Sequence, residues 1–328
     1  MVDSDVRVAW QLFNLNWIPI AAMGSVLLLA VAVSNFALEP VAFGTTAAIA
    51  VVFGLIAYVY TFARGHATDP KVTFSLGTIS QVILVTAIVG PLSYVAGATQ
   101  LPLQDQTFLL IDRAMGMDLE PIARFVDAHP MIAHCLHTGY GFIKWPLLGI
   151  PIILTMTLRL VRLQLFVAAL CFALAVTIAV SALVPAIGTF YGLHLSAESF
   201  GTLDTVYAAQ LRDIVALRNG SLRHLELFQL AGIVSFPSFH AASAVLYMWA
   251  LWPVRGFASL SIAMNVLMIA ATPVIGAHYM IDVIGGILLA AVSIILVNRY
   301  LAFMLAAGEP AQASALKAWP VQLKLDAR

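Results

Sequence analysis

Charge is what this sequence has least of. Of 328 residues, 16 are Lys or Arg and 16 are Asp or Glu, 10% in all, against 62% hydrophobic residues. A soluble domain carries about a quarter of its residues as charges. This chain therefore cannot cover a water-facing surface of its own size, and the bilayer must be the solvent for most of it. Its charges cancel and gather in no basic block, which argues against nucleic acid as a partner. Cysteine is nearly absent. Cys171 lies inside an apolar run, so a disulfide to Cys135 is not expected. No internal repeat is visible, which weakens a transporter built from duplicated halves. The first apolar stretch is long and reads as a retained anchor rather than a cleaved leader.

Long hydrophobic runs, in contrast, are abundant. Crossing the hydrocarbon core takes about 20 apolar residues as a helix, and helices are the economical solution because the backbone must bond to itself there. By that rule about eight spans are expected: Trp17–Leu38, Ala42–Phe62, Ser75–Ala98, Tyr140–Leu158, Leu165–Ile187, Ser238–Val254, Phe257–Ile275 and Met280–Leu305. Two connections are long. Gln100–Gly139 contains Leu109 to Arg113 and Ile122 to Val126, which mix apolar and charged positions as an interfacial helix does. Gly188–Pro237 carries Arg212, Arg218 and Arg223.

Among the short connections every Lys and Arg falls on one side, with the N-terminus and the C-terminal tail. The positive-inside rule makes that side cytoplasmic and puts both long connections outside.

Two motifs carry chemistry. Ser235-Phe236-Pro237-Ser238-Phe239-His240 opens the sixth span, and a proline with serines before an apolar run marks a helix N-terminus. Free N–H groups and the helix dipole make such an end suited to a phosphate. Gly276-Ala277-His278-Tyr279-Met280-Ile281-Asp282 opens the eighth span. His278 and Asp282 are one helical turn apart, so the carboxylate can take the proton of one ring nitrogen and leave the other as nucleophile or base. Span six leaves the outer side and span seven returns to it. His240 and His278 are therefore expected at one membrane face. His134 and His137 are three apart, but with no evident third ligand they do not read as a metal site.

Pro237-Ser238-Phe239-His240 followed by His278-Tyr279-Met280-Ile281-Asp282 resembles the type 2 phosphatidic acid phosphatase and haloperoxidase superfamily, over roughly the C-terminal half. Phe239 stands where the usual motif has glycine. That variant, with His278-Tyr279, is similar to the inositol phosphorylceramide synthase branch. The resemblance implies His278 as a nucleophile forming a phosphohistidine, Asp282 as its orienting partner, His240 as the acid protonating the leaving alkoxide, and Ser238 as a phosphate contact. It also has two gaps. Thr272 occupies the position of the superfamily's arginine six residues before the nucleophile, and the Lys and Arg-Pro of the remaining motif are missing around Val184–Tyr191. Arg218 or Arg223 is then expected to supply the cationic phosphate clamp, without a metal or other cofactor.

The expectation is an all-α polytopic membrane protein. Two additional N-terminal helices (1–70) precede a six-helix catalytic membrane domain (71–305) and a cytoplasmic tail (306–328). Its function would be phosphatase or phosphotransferase chemistry on a membrane lipid phosphate at the non-cytoplasmic face. Water or a hydroxyl could accept the phosphoryl group, and the sequence leaves both open. Two other classes stay open beside it: a transporter, disfavoured because the titratable residues cluster at one end, and a catalytically inactive lipid-binding protein, favoured by the missing clamp. Oligomeric state is not legible.

Overall fold

The computed structural model describes residues 2–196, 199–201 and 203–306; the expected tail beyond Ala306 lies outside them. Its elements are almost all helices. α1 (Val2–Leu15) and α2 (Trp17–Val33) are separated only by Asn16. Asn16 is buried and satisfies its amide on the carbonyl and side-chain oxygens of Gln164, each at 3.1 Å. Gln164 passes the network on to Thr78 at 3.0 Å, and Gln81 donates to the Phe13 carbonyl at 2.8 Å. Inside a membrane such groups must be paired or they cost several kcal/mol each, about 2–7 by transfer measurements, so this network fixes the register of the helices that carry it.

α3 (Pro40–Arg64) and α4 (Pro70–Gly97) each start with a proline at the first turn, capped by the carboxylates of Glu39 and Asp69. They pack along their lengths, with Gly54 of α3 facing Ser80 of α4. Two short helices follow, α5 (Asp105–Ala114) and α6 (Leu119–Asp127), then α7 (Pro130–Gly141) and α8 (Lys144–Met156), which meet at 52°. The central helix α9 (Leu160–Leu183) contacts α1, α4, α12 and α14. After it come α10 (Thr189–Gly192) and α11 (Tyr207–Arg218), and then α12 (Phe239–Leu251), α13 (Phe257–Ala271) and α14 (Met280–Ala306). The two-residue strands β1 (Ala37–Leu38) and β2 (His224–Leu225) pair in parallel and tie the second long connection to the start of α3.

Among the described residues, five helical stretches are long and apolar enough to cross a membrane: Asp5–Val33, Pro40–Arg64, Pro70–Gly97, Leu160–Leu183 and Met280–Ala306. The bent pair α7–α8 makes a sixth. These account for six of the eight expected runs. The other two are α12 and α13, of 13 and 15 residues, only about 20–23 Å long at 1.5 Å per residue. α12 needs no lipid-facing length, because it is sheathed by α8, α9, α13 and α14 and buries Ala241, Ala242, Ala244, Leu246, Tyr247 and Ala250.

The main core runs through the bundle around α1, α4, α9 and α12. A second core closes one end, where Tyr94, Phe190, Tyr207, Leu217 and Ile275 pack together. Both long connections fold onto that end.

Candidate active site

α12 begins at the closed end of the bundle. Ser238 is its N-cap, extended at φ −65° and ψ 115°, with its hydroxyl 3.4 Å from the Ala241 N–H. The Ser238 N–H donates to the Asp282 carbonyl at 2.9 Å, so a main-chain bond joins the two motifs. The approach is close because α14 has Gly286 there; a Cβ at that position would run into the Ser238 carbonyl oxygen.

His278 lies immediately before α14 and Asp282 in its first turn. The His278 Nδ1 is 3.1 Å from Asp282 Oδ2, and its Nε2 is 3.4 Å from Ser238 Oγ. His278 is 4% exposed and Asp282 fully buried. A carboxylate beside Nδ1 selects the tautomer with the proton on Nδ1. The Nε2 lone pair is then left facing the hydroxyl at the start of α12. Asp282 Oδ2 also accepts the Ser235 hydroxyl at 2.6 Å and the Tyr279 N–H at 3.1 Å. The carboxylate is therefore fixed from three directions.

His240 sits one residue into α12. Its ring lies on Tyr140 of α7, with centroids 3.9 Å apart and planes 12° apart. Gly276 is the gap between Tyr140 and His278. A Cβ on it would stand 2.7 Å from Tyr140 Cε2 and 2.9 Å from His278 Cδ2. The ring that carries His240 and the ring of His278 thus converge on a residue that must be glycine.

Two further carboxylates hold this arrangement, both from α5. Asp112 accepts the Met280 and Ile281 N–H groups at 2.7 and 3.0 Å, occupying the free donors at the start of α14. Asp105 accepts Ile187 N–H at 3.0 Å and Gly188 N–H at 2.9 Å, and the Tyr279 hydroxyl lies 3.0 Å from it. Burial raises both carboxyl pKa values, opposed by the N–H groups that bond to them; the charge of Asp282 adds to the rise. Residues 279–281, between the histidine and its aspartate, are thereby held by a helix from the first long connection. Asp105 and Asp112 are seven apart, two turns on one helical face. That spacing was the available sequence signal; what they bond to was not visible.

The structure brings His278, Asp282, Ser238 and His240 together and leaves the two expected arginines elsewhere. Arg218 donates to the Thr99 and Leu101 carbonyls at 2.6 and 3.0 Å. Arg223 donates to the Leu217 and Leu222 carbonyls at 2.8 and 2.9 Å and stacks on Phe36 at 4.7 Å. Both guanidinium groups hold backbone carbonyls, and in this arrangement neither bonds to the histidine cluster expected to need a clamp. For Arg223 the cause is local: Asn219 and Gly220 end α11 and turn the chain back, so the Leu217 carbonyl at the helix end takes its guanidinium donor. Arg218 instead reaches across the fold to the segment after α4.

The family model of the PAP2 superfamily matches residues 106–296, from α5 into α14. The chain belongs to the PAP2 superfamily. The match spans both histidine motifs and most of α5. Membership points to a phosphatase or phosphotransferase working on lipid phosphoesters. No curated protein matches the chain, and no solved structure does.

Proposed function

We propose that this PAP2 superfamily protein is an integral membrane phosphatase or phosphotransferase of lipid phosphoesters, working through a phosphohistidine on His278. The observation that carries the reading is the orientation of the His278 ring. Asp282 holds Nδ1, and Nε2 faces the N-terminus of α12 across Ser238.

In the first step Nε2 attacks phosphorus and the P–O bond to the lipid alkoxide breaks. The alkoxide takes a proton from His240, and the Nδ1–H stays bonded to Asp282, which stabilises the charge gained by the ring. In the second step water or a hydroxyl attacks phosphorus, the P–Nε2 bond breaks to free His278, and neutral His240 takes up the proton of the attacking oxygen. The oxygens of the transferred group would meet the first N–H groups of α12, which have no intrahelical acceptor, and the Ser238 hydroxyl. Protonated His240 supplies positive charge in the first step.

The active end faces away from the cytoplasm in this reading, with both termini cytoplasmic, because the basic residues of the short connections lie at the other end. The variant motif with Phe239, and Thr272 in place of the superfamily arginine, favours a headgroup transferase of the inositolphosphotransferase type as the second reading.

Purified protein in nanodiscs, offered long-chain phosphatidic acid, undecaprenyl pyrophosphate, or phosphatidylinositol with ceramide, tests the proposal. Phosphate release or headgroup transfer is expected, with an alkali-stable, acid-labile phosphoprotein that is absent from His278→Ala. Turnover that survives His278→Ala would sink the mechanism.

A further inference from the structure

A cavity of about 690 Å³ lies outside the histidine cluster, between the chain after α10 and the outward face of α11. α11 buries Tyr207, Gln210, Asp213, Ile214 and Leu217 against the second core. Its opposite face, with Ala208, Leu211 and Val215, lines the cavity, and Val215 is 48% exposed. Leu195 and Tyr191 form the facing wall. The volume falls within the range of small-molecule sites, roughly 300–1,000 Å³.

Four side chains at the cavity break its apolar character, His194, Ser196, Arg212 and Asn219, and of these Arg212 carries a permanent positive charge. Arg212 places only its Nε on Asp213, at 2.8 Å. Its terminal nitrogens have no hydrogen-bond partner among the described residues, and its side chain is 71% exposed. An apolar trough with a guanidinium fork at its edge is complementary to a hydrocarbon chain ending in an anion.

The trough is also built into the closed end of the bundle. Thr189 N–H bonds to the Ala277 carbonyl at 2.8 Å, and Val206 N–H to the Ile275 carbonyl at 3.1 Å. Tyr191 and Tyr207, which line the trough, lie two residues and one residue after those anchors. The cavity therefore stands beside the segment that leads into His278 without including the histidine.

We propose that this trough is an accessory site for an anionic lipid. One acyl chain lies along Leu195, Leu211 and Val215, and the charged headgroup is held by Arg212 with His194 beside it. The site needs no turnover and does not depend on the phosphohistidine reading.

The full-length protein in nanodiscs is photolabelled with a lysophosphatidic acid carrying a diazirine in its acyl chain. A monoacylglycerol with the same diazirine is the uncharged control. Saturable labelling of peptides spanning residues 207–218 is expected from the charged probe. Labelling should fall at least fivefold in Arg212→Ala, recover in Arg212→Lys, and be blocked in Val215→Trp. His278→Ala should label as the wild type does, which separates this site from the catalytic reading. The melting temperature of each variant checks its fold, and Ala208→Trp serves as a second filling variant if Val215→Trp melts early.

Equal labelling by the uncharged probe, or labelling unaffected by Arg212→Ala, overturns the proposal. So does labelling that requires His278, which would make the lipid a substrate at the active site. Labelling that appears only after truncation at Ala306, or only on dilution to monomer, would identify the occupant as the chain's own tail or a second copy.

Discussion

Asp112 holds Met280: its carboxylate accepts the N–H of the first residue of α14 at 2.7 Å. The same side chain takes the next N–H, of Ile281, at 3.0 Å. Both bonds fall between His278 and Asp282, so α5 sets where the first turn of α14 begins. Asp112→Ala should cost about 1–3 kcal/mol of stability, the range for hydrogen bonds to a charged group. It should also lower kcat more than KM, because the histidine is displaced rather than the lipid. Asp112→Asn keeps one acceptor and should fall between. An unchanged melting temperature with unchanged kcat in Asp112→Ala would show that α14 starts where it does without α5.

For the nucleophile, His278→Ala should abolish turnover and leave the protein folded in the membrane. Asp282→Asn should retain some activity but also lose stability. Asp282 Oδ2 accepts from Ser235, Tyr279 N–H and His278 together, and an amide nitrogen turned toward any of them leaves a buried donor facing a donor. Kinetics and thermal denaturation on the same preparations separate the two effects.

His240 should matter in proportion to how poor the leaving group is. His240→Ala should cripple turnover of a lipid phosphate and damage turnover of a nitrophenyl phosphate much less, since nitrophenolate leaves without a proton. Tyr140→Phe keeps the stacked ring and should be nearly silent, whereas Tyr140→Ala removes the surface His240 rests on. Equal damage to both substrates by His240→Ala would assign His240 to binding.

Arg218 and Arg223 should behave as structural residues. Arg218→Ala removes two bonds to the Thr99–Leu101 backbone and should lower stability by about 1–3 kcal/mol, with kcat/KM of the folded enzyme within about twofold of wild type. A drop of tenfold or more at unchanged stability would return the clamp role to Arg218.

Topology is open to direct labelling. Cys135 is exposed and free, so the test starts from Cys135→Ser. Single cysteines at Ser221 and at Arg255 should then report opposite sides to a membrane-impermeant reagent in intact cells. Both positions are exposed and avoid Gly220 and Gly256, whose φ of +86° and +88° would strain any side chain. Labelling of both would refute the orientation.

The parts legible in the sequence are those fixed by local pattern. Apolar runs gave the helices, and a one-turn spacing gave the His278–Asp282 pair. The sixth run already reads as short in the sequence; that α12 is wrapped by other helices and that α13 stops at Ala271 was not legible, because hydropathy alone does not say whether a helix faces lipid or protein. Asp112 falls in the Leu109 to Arg113 stretch, which reads as an interfacial helix, and Asp105 lies two turns before it. Their partners lie across the fold, at Gly188, Tyr279, Met280 and Ile281, and no spacing rule reaches that far. The partners of Arg218 and Arg223 were hidden for a related reason: proximity in sequence to Pro237-Ser238 does not say which carbonyls the fold brings to a guanidinium.

The bond from Ser238 N–H to the Asp282 carbonyl belongs to the main chain, so it does not depend on the His278 side chain. Emptying the nucleophile's position therefore leaves a socket with its walls standing. In His278→Gly the space between Ser238, Gly276 and Asp282 would be the size and polarity of a free imidazole, with the carboxylate still set to orient it. The protein could then be run as a gated catalyst, its turnover dialled by the concentration of an added small base.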